Sequence, residues 1–243
     1  MKNYKIHLIR HGSTAANENG IYCGGGTDLP LSENGRAQLC RLLEDGLYPY
    51  LDELYVSPMC RAAETAELLY PGMSVTAVED LREAGFGHFE GRSIEELKGD
   101  PLFQKWVSPT SKFTPRKPSP QPKRTSRTMT VSPTSKFTPQ GVEPPADFFA
   151  RCIAAFSRIV NHMTESGIYS VGIITHASVI GNIMAGVCLP KHPPYDWQCQ
   201  PGGGFTVMTN AMLWMQGGVC EAAGELPFYE EPPAERDEFS FYE

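Results

Sequence analysis

Ile6-His7-Leu8-Ile9 is an apolar run that stops abruptly at Arg10-His11-Gly12. Such a run predicts a buried strand, and the stop sets a cation, an imidazole and a turn at its carboxyl end. The pattern recurs. Leu54-Tyr55-Val56 predicts a second buried strand ending at Ser57-Pro58, and residues 74–78 a third. Residues 171–175 are apolar throughout, as expected of a strand in the middle of a sheet, and break off at His176-Ala177-Ser178. Residues 205–214 predict a last strand, antiparallel or near an edge.

Between these strands the hydrophobic period changes to that of helices. Ser32 is placed to cap a helix whose Ala37, Cys40, Leu43 and Leu47 share a face. Met59, Ala63, Ala66 and Leu69 form the stripe of the next, with Arg61 in its first turn. A basic residue there is disfavoured by the helix dipole, a cost offset if Arg61 and the positive helix end serve the same anion. Residues 146–166 carry a broad stripe of Phe149, Cys152, Ile153, Phe156, Ile159, Val160 and Met163. A helix of small and apolar residues spans 179–189. Alternating strands and helices imply an α/β fold, a three-layer α/β/α sandwich around a mostly parallel sheet with one antiparallel strand.

Two segments do not fit this alternation. Val107-Ser108-Pro109-Thr110-Ser111-Lys112-Phe113-Thr114-Pro115 recurs letter for letter at 131–139, and the stretch carries seven Lys/Arg (112, 116, 117, 123, 124, 127 and 136) and no acid. Its spaced prolines and low apolar content predict a disordered, duplicated insertion at about 108–141. A surface insertion of this kind costs little closure entropy. From about 221 to 243 the chain has eight acids and one base, Arg236, which predicts a loose acidic tail. The expectation is one domain over 1–243, interrupted by the insertion.

Composition narrows the classes. The net charge of −7 argues against a nucleic-acid partner. Seven cysteines without a CxxC pair indicate neither a disulfide framework nor a zinc ribbon. No apolar run approaches the roughly 18 residues of a membrane span, and no signal-like segment opens the chain, so a cytoplasmic location is expected. The Gly24-Gly25-Gly26 loop lacks the Lys-Ser/Thr of a P-loop and the spacing of a dinucleotide fingerprint.

The candidate chemistry is then two strand-end histidines, His11 and His176, a helix-start arginine, Arg61, and a glycine-rich loop, 80–91, holding Glu83 and Glu90. Taken singly, each reads equally well as ordinary polar surface. In sequence, Leu8-Ile9-Arg10-His11-Gly12-Ser13-Thr14 with Asn17, Thr27-Asp28-Leu29-Pro30-Leu31-Ser32 with Gly35, Ser57-Pro58 through Arg61, Ala62 and Thr65, Leu81-Arg82-Glu83 through Glu90-Gly91, and Thr175-His176 resemble the histidine phosphatase superfamily, the phosphoglycerate mutase-like fold. The resemblance implies a metal-independent phosphomonoesterase acting on a small phosphorylated metabolite without a cofactor. It implies His11 as the nucleophile, Glu83 as the proton donor, and Arg10, Asn17, Arg61 and His176 around the phosphate. His7, His88, His162 and His192 match no such position.

Family mutases follow the acidic residue with further basic residues that grip a second anionic group. Here Ala84-Gly85-Phe86-Gly87-His88-Phe89-Glu90-Gly91 stands instead, which favours a phosphatase. The wording around Gly20-Ile21-Tyr22 and Thr27–Ser32 is similar to the branch with α-ribazole phosphatases and sugar-phosphate phosphatases. A phosphoglycerate mutase and a non-catalytic phospho-ligand module are the alternatives. The sequence leaves the oligomeric state open.

Removing one 24-residue period joins Pro115 to Gln140 and restores a normal-looking connection. A chain lacking residues 116–139 is expected to fold and to hydrolyse p-nitrophenyl phosphate about as well as the full chain. An unfolded or inactive deletion, read by circular dichroism and initial rate, would make the insertion integral.

Overall fold

The computed structural model describes residues 2–107 and 138–227. Nearly all of the duplicated insertion, and the acidic tail beyond Pro227, lie outside the described residues.

Seven strands form one sheet. They are β1 (Asn3–Arg10), β2 (Glu53–Val56), β3 (Val75–Ala77), β4 (Ser170–Thr175), β5 (Cys188–Leu189), β6 (Gly204–Asn210) and β7 (Cys220–Leu226), in the order β3-β2-β4-β1-β6-β7-β5. β3, β2, β4 and β1 run parallel. β6 is antiparallel to both β1 and β7, and β5 lies parallel to β7. The sheet is thus mostly parallel with a single reversed strand, as the sequence predicts.

Side-chain alternation divides the core into two layers. Tyr4, Ile6 and Leu8 of β1 join Val171 and Ile173 of β4 on one face, under Cys152, Phe156 and Val160 of helix α6 (Pro145–Ser166) and Ile180 and Ile183 of helix α7 (Ala177–Val187). Ile9, Leu54, Val56 and Ile174 point to the other face and meet Leu39 of α2 (Glu33–Glu44) and Ala62, Ala66 and Leu69 of α3 (Cys60–Leu69). The central strands are buried on both faces, which is why they read as continuous apolar runs. Four shorter helices, α1 (Ala15–Glu18), α4 (Ile94–Lys98), α5 (Pro101–Val107) and α8 (Ala211–Gly217), complete the described elements of four residues or more. Leu97 of α4 and Phe103 and Trp106 of α5 form a separate, largely aromatic cluster with Phe89 of the 87–89 turn, closed by Val142.

Several expectations are corrected. In α2 the buried positions are Gly35, Leu39 and Leu42, whereas Ala37 and Cys40 are exposed. The register is set by the Ser32 cap, whose hydroxyl accepts the Gly35 N–H at 2.9 Å. Ala63 of α3 is exposed, and its buried stripe runs through Arg61, Ala62, Thr65, Ala66 and Leu69. In α6 it is Phe148 that is buried, with Phe149 outside. The strand at 205–214 ends at Asn210, whose side chain accepts from the Leu213 N–H at 3.0 Å and starts α8. Residues 221–226, expected in the tail, belong to β7. Between its buried ends, Cys220 and Leu226, β7 is exposed, so it shows no hydrophobic alternation to read.

Gly204 shows how closely β6 grips the end of β1. A Cβ there would fall on the Leu8 carbonyl oxygen and lie 3.0 Å from the Ile9 Cα. Because both obstacles are backbone, Gly204→Ala is expected to lower the unfolding free energy by at least about 1–3 kcal/mol, the ordinary cost of overpacking. A urea midpoint equal to that of the wild type would show that this contact carries no constraint.

Candidate active site

The parallel register of β1 and β4 pairs Arg10 with Thr175. The next residue on each strand is therefore a histidine, and the two stand side by side at the carboxyl rim of the sheet. The ladder continues one step further, with the His11 N–H donating to the Thr175 carbonyl at 2.9 Å. The imidazole centroids are 5.1 Å apart and meet edge-on at 60°. β2 lies on the far side of β4, and its exit residue, Ser57, binds the Ile174 carbonyl through its N–H at 2.9 Å. Three adjacent strand ends thus converge on one point, the usual ligand position in such sheets.

His11 is 5% exposed. Its Nδ1 lies 2.7 Å from the Gly12 carbonyl oxygen. A carbonyl can only accept, so Nδ1 carries the proton and Nε2 keeps its lone pair. Burial, followed by the charges of Arg10 and Arg61, holds the imidazole well below its ordinary pKa, against a weaker opposing effect of the Gly12 hydrogen bond. His11 is therefore neutral near pH 7 and has a free ring nitrogen.

His176 is fully buried and is also held well below its ordinary pKa, by burial first and by His11, Arg61 and Arg10 after it. Its Nε2 is 2.8 Å from the Ser57 hydroxyl, which itself receives the Met59 N–H at 3.5 Å. The hydroxyl keeps a second lone pair beside its proton, so this bond serves either tautomer of His176; the other ring nitrogen is Nδ1. That atom is buried with no hydrogen-bond partner among the described residues, and so is Arg10 Nε. The Arg10 Nε–H is thus a buried donor without an acceptor next to His11, a group that an anion would satisfy.

The two arginines are anchored by backbone carbonyls. Arg10 Nη1 donates to the Cys199 carbonyl at 2.8 Å, and Arg61 Nη1 and Nη2 donate to Thr27 and Gly24 carbonyls at 3.0 and 3.4 Å. Arg61 is 4% exposed, with Asp28 3.8 Å away. The glycine-rich loop is explained by what it must approach: a Cβ on Gly25 would strike the Glu83 carbonyl, and one on Gly24 would come within 2.5 Å of the Ala84 carbonyl oxygen. The loop ties Arg61 on one side to the Glu83 segment on the other.

Glu83 is 8% exposed. Its Oε1 accepts the Ala84 N–H at 2.7 Å and the Ser178 hydroxyl. Burial raises its pKa above the ordinary carboxyl value, although Ser178, Ala84, Arg61 and Arg151 all oppose the rise. Asn17 is exposed on the same cavity wall, and its Oδ1 is taken by the Thr14 N–H and hydroxyl in a capping box. Its amide nitrogen is the group left for a ligand.

All six residues singled out in the sequence gather here. Arg10, His11, Asn17, Arg61 and Glu83 line one cavity of about 580 Å³, and His176 packs behind His11. The other histidines lie apart, with His7 bound at 2.9 Å to Thr206 inside the sheet. Glu90, weighed beside Glu83, instead braces loops: its carboxylate accepts from the Gly26 and Phe86 N–H groups and the Thr27 hydroxyl. Sequence reasoning missed Ser57, Ser178 and a clamp on α6. Arg151 donates to the Asp80, Arg82 and Glu83 carbonyls at 2.8, 2.7 and 3.2 Å and pairs in fork geometry with Glu143. That clamp fixes the backbone carrying Glu83. Among the described residues no three His, Cys, Asp or Glu side chains form a metal-holding group, and no helix is long and apolar enough to cross a membrane.

The fold recurs in solved structures: a phosphoglycerate mutase from Bacillus anthracis aligns with a TM-score of 0.65 at 17% identity, over 92% of each chain. Among curated proteins, fructose-2,6-bisphosphatase TIGAR B of Danio rerio is 34% identical over 107 residues, 40% of this chain and 40% of that protein. The adenosylcobalamin/alpha-ribazole phosphatase of Salmonella typhimurium is 34% identical over 95 residues, 38% of this chain and 46% of that one. The chain spans less than half the length of these curated relatives. The model of the histidine phosphatase superfamily, branch 1, matches residues 6–131, over half of the sequence, and on that match the chain belongs to this superfamily.

Proposed function

We propose that this protein is a metal-independent phosphomonoesterase that hydrolyses a small phosphorylated metabolite through a phosphohistidine on His11. The observation that carries the reading is the pairing of an unprotonated His11 Nε2 with a buried, upshifted Glu83 in one arginine-bearing cavity. α-Ribazole phosphate and sugar phosphates are the substrates to which the resemblance in sequence points.

In the first step His11 Nε2 attacks phosphorus as the ester P–O bond breaks, and protonated Glu83 gives its proton to the leaving alkoxide. Arg10, Arg61, His176 and the Asn17 amide surround the transferring oxygens. Fixed positive charge of this kind supplies most of what phosphoryl transfer demands. In the second step Glu83, now a carboxylate, takes a proton from water as the water attacks the phosphohistidine. Phosphate leaves and both residues return to their starting states. A mutase would need cations for a second anionic group, and the described cavity wall has only Arg10 and Arg61. A pure binding module would have no use for a free imidazole nitrogen and a buried, upshifted carboxyl in one cavity.

Exposure to a 32P-labelled phosphodonor should give acid-labile label on His11. His11→Ala should lose at least roughly a thousandfold in kcat/KM with an unchanged circular dichroism spectrum, and near-wild-type turnover would sink the reading. The pH dependence has a definite sign. The first step needs His11 neutral and Glu83 protonated. His11 is lowered and Glu83 raised, so both conditions hold on the acid side of neutrality and Glu83 is lost as pH rises. Activity at about pH 5.5 should therefore exceed that at about pH 8.

A further inference from the structure

Among the described residues the Glu83 carboxyl is held by two direct hydrogen bonds, both to Oε1. One comes from the Ala84 N–H, its neighbour in the chain. The other comes from the Ser178 hydroxyl, which crosses from α7, 95 residues away in sequence. Ser178 lines the catalytic cavity two residues after His176, in the first turn of α7. A helical serine commonly turns its hydroxyl onto a nearby carbonyl of its own chain. Here the hydroxyl goes to Glu83 instead, from a backbone that is itself tied down. The Ser178 carbonyl accepts the Asn182 amide at 2.8 Å, and the turn closes from the Ile180 N–H to the His176 carbonyl at 3.0 Å.

No cation touches that carboxyl among the described residues. Arg151 donates to the Glu83 backbone carbonyl, and Arg61 and Arg151 reach the side chain through their charge. Arg10, Tyr22 and Cys152 feel the Glu83 charge, Glu143 is paired with Arg151, and His11 and His176 are both held neutral. α7 carries no charged side chain of its own. Of the influences that oppose burial at Glu83, the Ser178 bond is the largest. A hydroxyl binds a carboxylate about twice as strongly as it binds a neutral acid, so loss of this bond costs the ionised form more.

We propose that Ser178 is a positioning residue for the proton donor: its hydroxyl fixes the Glu83 carboxyl from α7 and, by binding the ionised form more strongly, makes Glu83 a stronger acid. This rests on the phosphatase reading above. The proton moves from the Glu83 carboxyl to the leaving oxygen as the P–O bond breaks, and Ser178 keeps its own proton throughout. The strand-to-helix junction that brings His176 to the phosphate thus also brings the group that tunes the acid.

The test uses the full chain and two esters of similar shape, phenyl phosphate and p-nitrophenyl phosphate. Phenoxide is a much poorer leaving group than nitrophenoxide, so its departure depends more on the proton from Glu83. In Ser178→Ala the basic limb of kcat/KM for phenyl phosphate should move up by about one pH unit, the scale of a hydrogen bond to a charged group. The ratio of kcat/KM at pH 8 to that at pH 5.5 should then rise about tenfold. At pH 5.5 the variant should lose more on phenyl phosphate than on p-nitrophenyl phosphate. Ser178→Thr keeps the hydroxyl and should retain the wild-type profile, whereas Ser178→Val, its match in shape, should follow the alanine variant. That pair carries the comparison if circular dichroism shows the alanine variant unfolded. An unmoved basic limb in a folded variant, or a loss equal at every pH and for both esters, would overturn this inference and leave the phosphatase reading intact. No hydrolysis of either ester by the wild type would overturn the phosphatase reading and this inference with it.

Discussion

The pairing of Arg10 with Thr175 across β1 and β4 is the constraint on which the site depends. Parallel strands in fixed register place equivalent carboxyl ends level with each other. One residue of slip would move one histidine out of line and turn every side chain of that strand to the opposite face. The register is protected because both strands are buried on both sides: Ile6, Leu8, Ile9, Ile173 and Ile174 are all fully inaccessible. Core packing and site geometry are therefore one problem. The hydrophobic alternation that sorts Leu8 from Ile9 also delivers His11 to within one ring contact of His176.

Around that fixed pair the protein holds charge where charge is costly. Arg10 and Arg61 are both largely buried at the His11 end of the cavity, and burial pulls the Arg10 guanidinium below its usual pKa. Neither is neutralised by a tight carboxylate partner. Arg61 has Asp28 only at 3.8 Å, and both otherwise donate to carbonyls. Carbonyl anchors hold a guanidinium without cancelling its charge, so the field stays available to an incoming anion. The same field lowers His11 and opposes the rise of Glu83. Burial overrides it at Glu83, and that balance allows a base and an acid to coexist in one cavity.

The legible part of the chain was the part where local pattern and long-range demand agree. Two apolar runs cut short by polar residues read as strands ending at a rim, because strands buried on both faces need no alternation; the one polar side chain within the first run, His7, is matched by Thr206 on β6. Helix faces were read less well. The stripes assigned to α2 and α6 included Cys40 and Phe149, which face outward, because small or aromatic residues near the stripe edge satisfy a 3.6 period in more than one phase. β7 reads as tail in the sequence because its exposed middle, Glu221 to Glu225, has the composition of one. Ser178 and Arg151 carry no local signal, and the motif that contains Ser57 does not reveal its partner. Each works through a partner over 60 residues away in sequence, as in Ser57 with His176, Ser178 with Glu83 and Arg151 with the 80–83 carbonyls.

Arg151 shows why those silent residues matter. The Glu83 segment has no regular structure of its own beyond a short turn at Glu79–Leu81, yet a proton donor must be held to a fraction of an ångström. The segment obtains that rigidity by borrowing. Its carbonyls are collected by Arg151 from α6, its next amide is turned back onto its own carboxylate, and its outer side is closed by glycines that permit contact at van der Waals distance. Glu143 completes the brace: its N–H binds the Gly85 carbonyl at 2.8 Å, and its carboxylate orients Arg151. Glu143 lies just after the point where the chain returns from the basic insertion. The acid at the centre of the site is thus positioned by the two limbs that flank the most irregular part of the sequence, and a connection of variable length is compatible with fixed chemistry so long as its return limb still meets Arg151.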